Sequence, residues 1–167
     1  MKLKLVEFTE SYAKEICDWN YDAEYSIYNY HAWNKIFNEK WAITIEEKRK
    51  REFFAAVDDY SNLCGYIRLQ DKNEYVLIGV GLKPSLCGQE LGNILMEMLK
   101  QQCRELYASK KIVLEVRCFN ERAINCYKRA GFKIKKKYIY KIYLLVMVNL
   151  LEWNLVHNRK YKCVVLE

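Results

Sequence analysis

Leu3, Leu5 and Phe8 alternate loosely with polar residues, a period near two that predicts a first strand. Thr9 then stands as a helix N-cap candidate, with Tyr12, Ile16 and Trp19 recurring at helical spacing behind it. The stretch 20–43 is crowded with Tyr21, Tyr25, Tyr28, Tyr30, Trp33, Phe37 and Trp41. It reads as a helical segment packed on the core, and also as the aromatic wall of a substrate pocket. Thr44 and Glu47 form a T-x-x-E arrangement that predicts a capping box. Three apolar runs follow, Glu52–Val57, Leu63–Leu69 and Tyr75–Leu82, separated by links rich in Asp and Asn. They predict an antiparallel meander. After Pro84, Leu91, Leu95, Met98, Leu99, Gln102 and Leu106 recur at spacings of three and four and keep one helical face apolar. Ile112–Val116 reads as a buried strand, Asn120–Ala130 as a helix that Gly131 stops, and Phe132 onward as extended chain. The resulting order, β-α-α-β-β-β-α-β-α-β, is that of a mixed α/β domain.

The chain has 167 residues, the size of one ordinary domain, and its 51% apolar content excludes a disordered polymer. Lys and Arg number 28 against 21 Asp and Glu, a net charge of +7. That excess is not spread evenly. Residues 1–127 carry 18 basic against 19 acidic side chains, whereas 128–167 carry ten against two. A uniformly basic surface is therefore excluded, which argues against nucleic acid as the main partner. Seven scattered cysteines with no CxxC pair, and only His31 and His157 for imidazole, argue against a zinc site. The N-terminus lacks a signal-type apolar core, and the apolar run Ile142–Leu151 is too short to span a bilayer. A reduced, cytoplasmic protein is expected.

Chemistry concentrates in two stretches. Val80-Gly81-Leu82-Lys83-Pro84-Ser85-Leu86-Cys87-Gly88-Gln89-Glu90-Leu91-Gly92 leads a strand through a short loop into a helix. Free backbone N–H groups and the positive dipole end at such a helix start suit an anion. The loop is neither a Walker sequence nor a full GxGxxG, so by itself it is also compatible with mere packing. The second stretch, Asn120 to Phe132, reads N-x-x-A-x-x-x-Y-x-x-x-G-F, with Asn120, Ala123 and Tyr127 on one helical face.

These two motifs, their separation and the strand order resemble the GNAT superfamily of acyl-CoA-dependent N-acyltransferases over roughly residues 3–145. The resemblance implies a single domain over 1–149, with residues 150–167 as an extension of unknown role. It also implies a mostly antiparallel sheet of six to seven strands, splayed at the cofactor and flanked by about four helices. Acetyl-CoA is the implied co-substrate, with no metal. Its pantetheine would pair with backbone of Val80 and Leu82, and its pyrophosphate would rest on amides of Cys87, Gly88, Glu90, Leu91 and Gly92. Asn120 would contact the pantetheine arm. The chain departs from the family's usual loop at two places: Cys87 replaces the first Arg or Gln, and Glu90 replaces the second glycine.

From spacing alone Tyr127 reads as a packed helical residue; the resemblance implies a general acid that protonates the departing CoA thiolate. The two ordinary pKa values, about 10 and about 8.5, are close enough for such transfer. Glu74 falls where some family members place a general base, with Asp71, Glu24 and Asp22 as rivals. The oxyanion would meet a backbone N–H near Leu82. Cys87 lacks a neighbouring base for a nucleophilic role. The implied activity is acetyl transfer to a primary amine, small-molecule or peptide, by direct attack in a ternary complex. The alternatives are a catalytically degenerate acyl-CoA-binding copy and a basic-tailed RNA- or ribosome-binding protein. Finally, 132–149 offers no Gly, Pro, Asp or Ser to turn on, and eighteen extended residues would reach about 59 Å. The chain must bend at an unmarked place or exchange a strand with a second copy, so a homodimer through the C-terminal strands is expected.

Overall fold

The structure, a computed structural model, describes residues 2–140 and 161–166 and divides into two compact units, Met1–Val113 and Leu114–Glu167. The first unit runs β1 (Lys4–Glu7), α1 (Glu10–Cys17), α2 (Trp33–Asn38), α3 (Glu46–Glu52), β2 (Phe53–Val57), β3 (Leu63–Asp71), β4 (Tyr75–Leu82) and α4 (Leu91–Tyr107). Short 3-10 turns occupy Ala23–Tyr28, Ala42–Thr44 and Pro84–Leu86. Neighbouring strands pair antiparallel in the order β1-β2-β3-β4. This is the meander that the apolar runs predict, with the links at the expected places.

Local chemistry explains the ends. The Thr9 hydroxyl accepts the Tyr12 N–H at 3.3 Å, capping α1. The capping box at Thr44 and Glu47 does not form. Thr44 is buried and its hydroxyl donates back to the Trp41 carbonyl at 2.9 Å, so α3 starts after Ile45 with no side-chain cap. Nor does Glu52 open a strand; it ends α3.

Alternation along the strands gives the sheet two buried faces. On one face, Ile67, Leu69, Val76 and Ile78 are buried, as are Leu91, Leu95, Met96, Leu99 and Cys103 of α4, which packs against β3 and β4. On the other, Phe53, Ala55 and Val57 join Phe8, Ala13, Ile16, Trp19, Ile36 and Ile43 in one cluster. The Tyr66 ring packs there with Phe8, Trp19 and Phe53 at centroid distances of 6.1, 6.2 and 6.4 Å. The crowded stretch 20–43 is thus two short turns and α2 rather than one long helix, and Tyr21, Tyr30 and Trp33 pack against this cluster.

The second unit holds the rest of β5 (Lys111–Arg117), then α5 (Glu121–Arg129), β6 (Ile134–Tyr140) and β7 (Tyr161–Leu166). β7 lies between β5 and β6 and pairs antiparallel with both. Residues beyond 150 therefore contribute a strand. The unmarked bend, the apolar run 142–151 and the strand exchange inferred from them lie outside the described residues. Among the described residues the fold is mixed α/β, with seven strands and five α-helices. No helix among them is long and apolar enough to cross a membrane.

Glu52 is the buried charge on which α3, β2 and β3 converge. Its carboxylate accepts from Arg68 Nε and Nη2 at 3.0 and 2.7 Å and from Arg51 at 3.0 Å, while the Arg68 guanidinium stacks over Phe53. Burial pushes the Glu52 carboxyl up, but the hydrogen bonds from Arg68 and Arg51 outweigh it and hold it below its ordinary value of 4.5. A carboxyl depressed on folding stabilises the fold above the unfolded pKa and loses that contribution as pH falls through the folded one. Removing one partner of a fully buried pair costs about 3–5 kcal/mol. Because the Arg68 side chain is 28% exposed, Glu52→Gln should cost less, about 2 kcal/mol in urea denaturation at pH 7. The gap between variant and parent should close as pH drops below 4.5.

Candidate active site

The β3–β4 hairpin has a register that sorts the backbone of β4. Gly65 opposes Leu82 and Asp71 opposes Val76, and the ladder is fixed at both ends by Lys72 N–H to Tyr75 O (2.9 Å) and Lys83 N–H to Cys64 O (2.8 Å). In an antiparallel ladder hydrogen-bonded and non-bonded pairs alternate. Odd residues of β4 therefore bond β3, and the N–H and C=O groups of Val80 and Leu82 point away from it. This is the orientation an added extended chain needs. The Leu82 carbonyl already accepts the Tyr21 hydroxyl at 2.8 Å.

The same register puts Gly79 opposite Arg68 and Gly81 opposite Tyr66. A Cβ at Gly81 would lie 2.1 Å from the Tyr66 ring, so only glycine lets that ring lie across the strand. Tyr66 also shares a hydrogen bond with the Tyr30 hydroxyl. Burial pushes both phenols up, Tyr66 well above its ordinary value, so both stay protonated at neutral pH.

Beyond Lys83 the chain makes one 3-10 turn and reaches Gly88, at φ +84°, and Glu90, at φ +61°. Glu90 is the N-cap of the 17-residue helix α4, in the left-handed region and with no side-chain cap bond. This conformation is costly for a residue with a Cβ, and it is why glycine suits the position. The Cys87 N–H is held by Pro84 O at 3.1 Å, whereas the next five amides, Gly88 to Gly92, have no protein partner among the described residues. Consecutive unpaired N–H groups at the positive end of a helix of about 25 Å have the geometry of an anion cradle. The loop's own side chains add no cation to it. No Lys or Arg lies between Pro84 and Gly92, and Lys83 is tied to Glu15 at 3.1 Å. The Glu90 residue is exposed, which keeps its carboxylate in solvent.

In the second unit, Asn120 caps α5, its Oδ1 accepting the Ala123 N–H at 3.1 Å. At the other end Gly131, at φ +98°, sends its N–H to Lys128 O, and the Phe132 N–H reaches Tyr127 O at 3.0 Å. That pair of bonds is a Schellman closure, completed by the buried Phe132 ring. Tyr127 is half-buried on the last full turn of α5. Burial pushes the Cys126 thiol beside it up, away from nucleophilic reactivity.

The cradle and the outward edge of β4 belong to the first unit and the doubly capped α5 to the second, and the comparison with known proteins supplies the family. The chain matches the sequence model of the acetyltransferase (GNAT) family over residues 11–132. It belongs to that family. This GNAT acetyltransferase is also similar in fold to solved structures. One is a spermidine N-acetyltransferase chimera from Vibrio cholerae and hSSAT, 17% identical, with TM-score 0.73, 99% of this chain covered and 94% of that chain. Another is the Vibrio cholerae spermidine N-acetyltransferase in complex with CoA and spermine, 15% identical, with TM-score 0.67 over 98% and 93% of the two chains. No curated protein sequence matches.

The acetyltransferase thus gathers Val80, Leu82, Cys87, Gly88, Glu90, Leu91 and Gly92 at one end of β4, and carries Asn120 and Tyr127 on α5. Glu74 is exposed at the hairpin tip, about 26 Å along the strand from Leu82 at ~3.3 Å per residue. Of its rivals, Asp71 is bound by Lys110 at 2.6 and 2.7 Å and by the Asn73 N–H at 2.9 Å. The Lys110 hydrogen bond holds its carboxyl below the ordinary value. Asp22 and Glu24 are exposed at the 3-10 turn before α2. Among the described residues no cluster of side chains could hold a metal ion. Tyr66 and Arg68 escape sequence reasoning, while Tyr21 is legible only as one aromatic of the stretch 20–43; the G-x-G of β4 is the available signal for the first two, since glycines two apart in a strand leave one face bare for a ring from the partner.

Glu90→Gly should relieve the left-handed strain at the start of α4. The expected gain is about 0.5–1 kcal/mol in urea denaturation, the balance between that relief and glycine's greater unfolded entropy.

Proposed function

We propose that this GNAT protein transfers an acetyl group from acetyl-CoA to a primary amine by direct attack in a ternary complex. The observation that carries the reading is the row of five unpaired amides, Gly88 to Gly92, opening α4. These amides would hold the pyrophosphate, and the outward groups of Val80 together with the Leu82 N–H would pair with the pantetheine, the Leu82 carbonyl being held by Tyr21. Acetyl-CoA supplies the activated acyl group. Asn120 pins the start of α5 and orients the face that bears Tyr127. Tyr127 gives its phenolic proton to sulfur as the carbon–sulfur bond breaks, and a backbone N–H of β4 stabilises negative charge on the acyl oxygen. Glu74 was the candidate base, but its place at the hairpin tip favours proton loss from the amine to solvent. The relative with CoA and spermine bound makes polyamines the first acceptors to screen, ahead of aminoglycosides, peptide N-termini and lysine.

A second reading, an acyl-CoA-binding copy without turnover, draws on Glu90, whose carboxylate stands where the family usually has glycine. Thiol release over an amine library separates the two. Tyr127→Phe should lower kcat by at least about 100-fold, the lower range for loss of a positioned acid, while CoA affinity stays near that of the parent. Full turnover by that variant at all pH values would remove Tyr127 from the mechanism. By calorimetry, Glu90→Gly should bind CoA several-fold more tightly, because it removes a like charge beside the cradle.

A further inference from the structure

One peptide group launches the anion loop, and it is held from both sides. The Leu82 carbonyl accepts the Tyr21 hydroxyl at 2.8 Å and, more weakly, the Cys87 thiol at 3.9 Å, and the Lys83 N–H of the same peptide donates to Cys64 O at 2.8 Å. Pro84, the 3-10 turn and the loop follow directly, so this peptide fixes the point and direction from which the loop sets out. Cys64 is a fixed partner, buried in β3. Tyr21 is not part of the sheet; it opens the aromatic segment 21–30, 61 positions away in sequence from Leu82.

That segment is itself a closed loop. The Asn29 side chain accepts the Tyr21 N–H through Oδ1 at 2.7 Å and donates Nδ2 to the Tyr21 carbonyl at 3.4 Å, pairing with its backbone as a neighbouring strand would. Inside the loop Ala23 is at φ +50°, a left-handed strain that holds only because the loop is tied. The Tyr21 ring packs against the core cluster, a task phenylalanine could perform. Its hydroxyl does something else: it joins this loop to the peptide that aims the cradle.

We propose that Tyr21 is a positioning residue that couples the aromatic segment 21–30 to the cofactor loop, so that occupation of the cradle orders that segment. The proposal rests on reading Gly88–Gly92 as the CoA cradle. If the cradle is filled, the Leu82–Lys83 peptide is held in its bonded orientation, and the Tyr21 bond and the Asn29 closure are favoured together. Ordering of the segment and occupation of the cradle then favour each other by the same factor, as thermodynamic linkage requires.

Hydrogen exchange with and without CoA, on the full chain, tests this. In the parent, CoA should slow exchange at 86–93 and also at 21–30. In Tyr21→Phe it should slow exchange only at 86–93, with CoA binding weakened about fivefold, the worth of one net hydrogen bond. Asn29→Ala keeps the Tyr21 hydroxyl and opens the loop; it should lose the 21–30 response as well, and it serves if Tyr21→Phe does not fold. An unchanged 21–30 response in Tyr21→Phe would overturn the coupling and leave the cradle intact. Failure of the parent to bind CoA would overturn the cradle and the coupling with it.

Discussion

The constraint on which the site depends is the register of one hairpin. With Tyr75 bonded to Lys72 and Lys83 to Cys64, every odd residue of β4 faces β3 through its backbone and every even one turns outward. A slip of one residue would turn Val80 and Leu82 inward and send Val76 and Ile78 out of the core against which α4 packs. It would also place a side chain under the Tyr66 ring, where Gly81 now leaves room. Backbone edge, apolar face and aromatic face are therefore one choice, made by the two-residue link Asn73–Glu74 and sealed by burial on both sides of the strand.

From that register the loop follows with little freedom. The Lys83 peptide is fixed, Pro84 begins the 3-10 turn, and the left-handed residues Gly88 and Glu90 turn the chain so that α4 starts with its amides bare. The order of cause matters here. Leu91 and Gly92 are bare because the first turn of any helix lacks intrahelical acceptors for its amides, and Glu90, left-handed at the N-cap, supplies no side-chain cap in their place.

Several of these elements could be read from residues alone, because their causes are local. Thr9 as a cap, the three runs of the meander, the start of the apolar stripe of α4 and the stop at Gly131 all depend on neighbours within a few positions; farther along α4, Leu106 is exposed and Met96 and Cys103 are buried instead. The N…A…Y…GF pattern is legible for the same reason: Asn120 is the N-cap, Tyr127 the acceptor of the Schellman closure, Gly131 its left-handed residue and Phe132 its apolar seal. Thr44 and Glu52 show the opposite case. Both fit a local rule, a cap for one and a strand start for the other, and tertiary partners overrode it: the Trp41 carbonyl for the first, Arg68 for the second. Tyr21 was read only as one aromatic among many, since nothing near it in sequence tells that its hydroxyl meets Leu82. The strand Tyr161–Leu166 was hidden for a related reason, since its partners on β5 and β6 are set by non-local pairing.

The distribution of charge also bears on how the cradle works. The loop carries no cation, its nearest lysine is neutralised by Glu15, and a carboxylate sits at its N-cap. Attraction for an anion must then come from oriented amides rather than from side-chain charge. Amide dipoles act over the length of a hydrogen bond, so their contribution depends on direction far more than a lysine's would. A cradle built this way is only as good as the peptide that aims it. This makes the two short bonds on the Leu82–Lys83 peptide, one from the sheet and one from the aromatic segment, more consequential here than they would be in a loop with an arginine to spare.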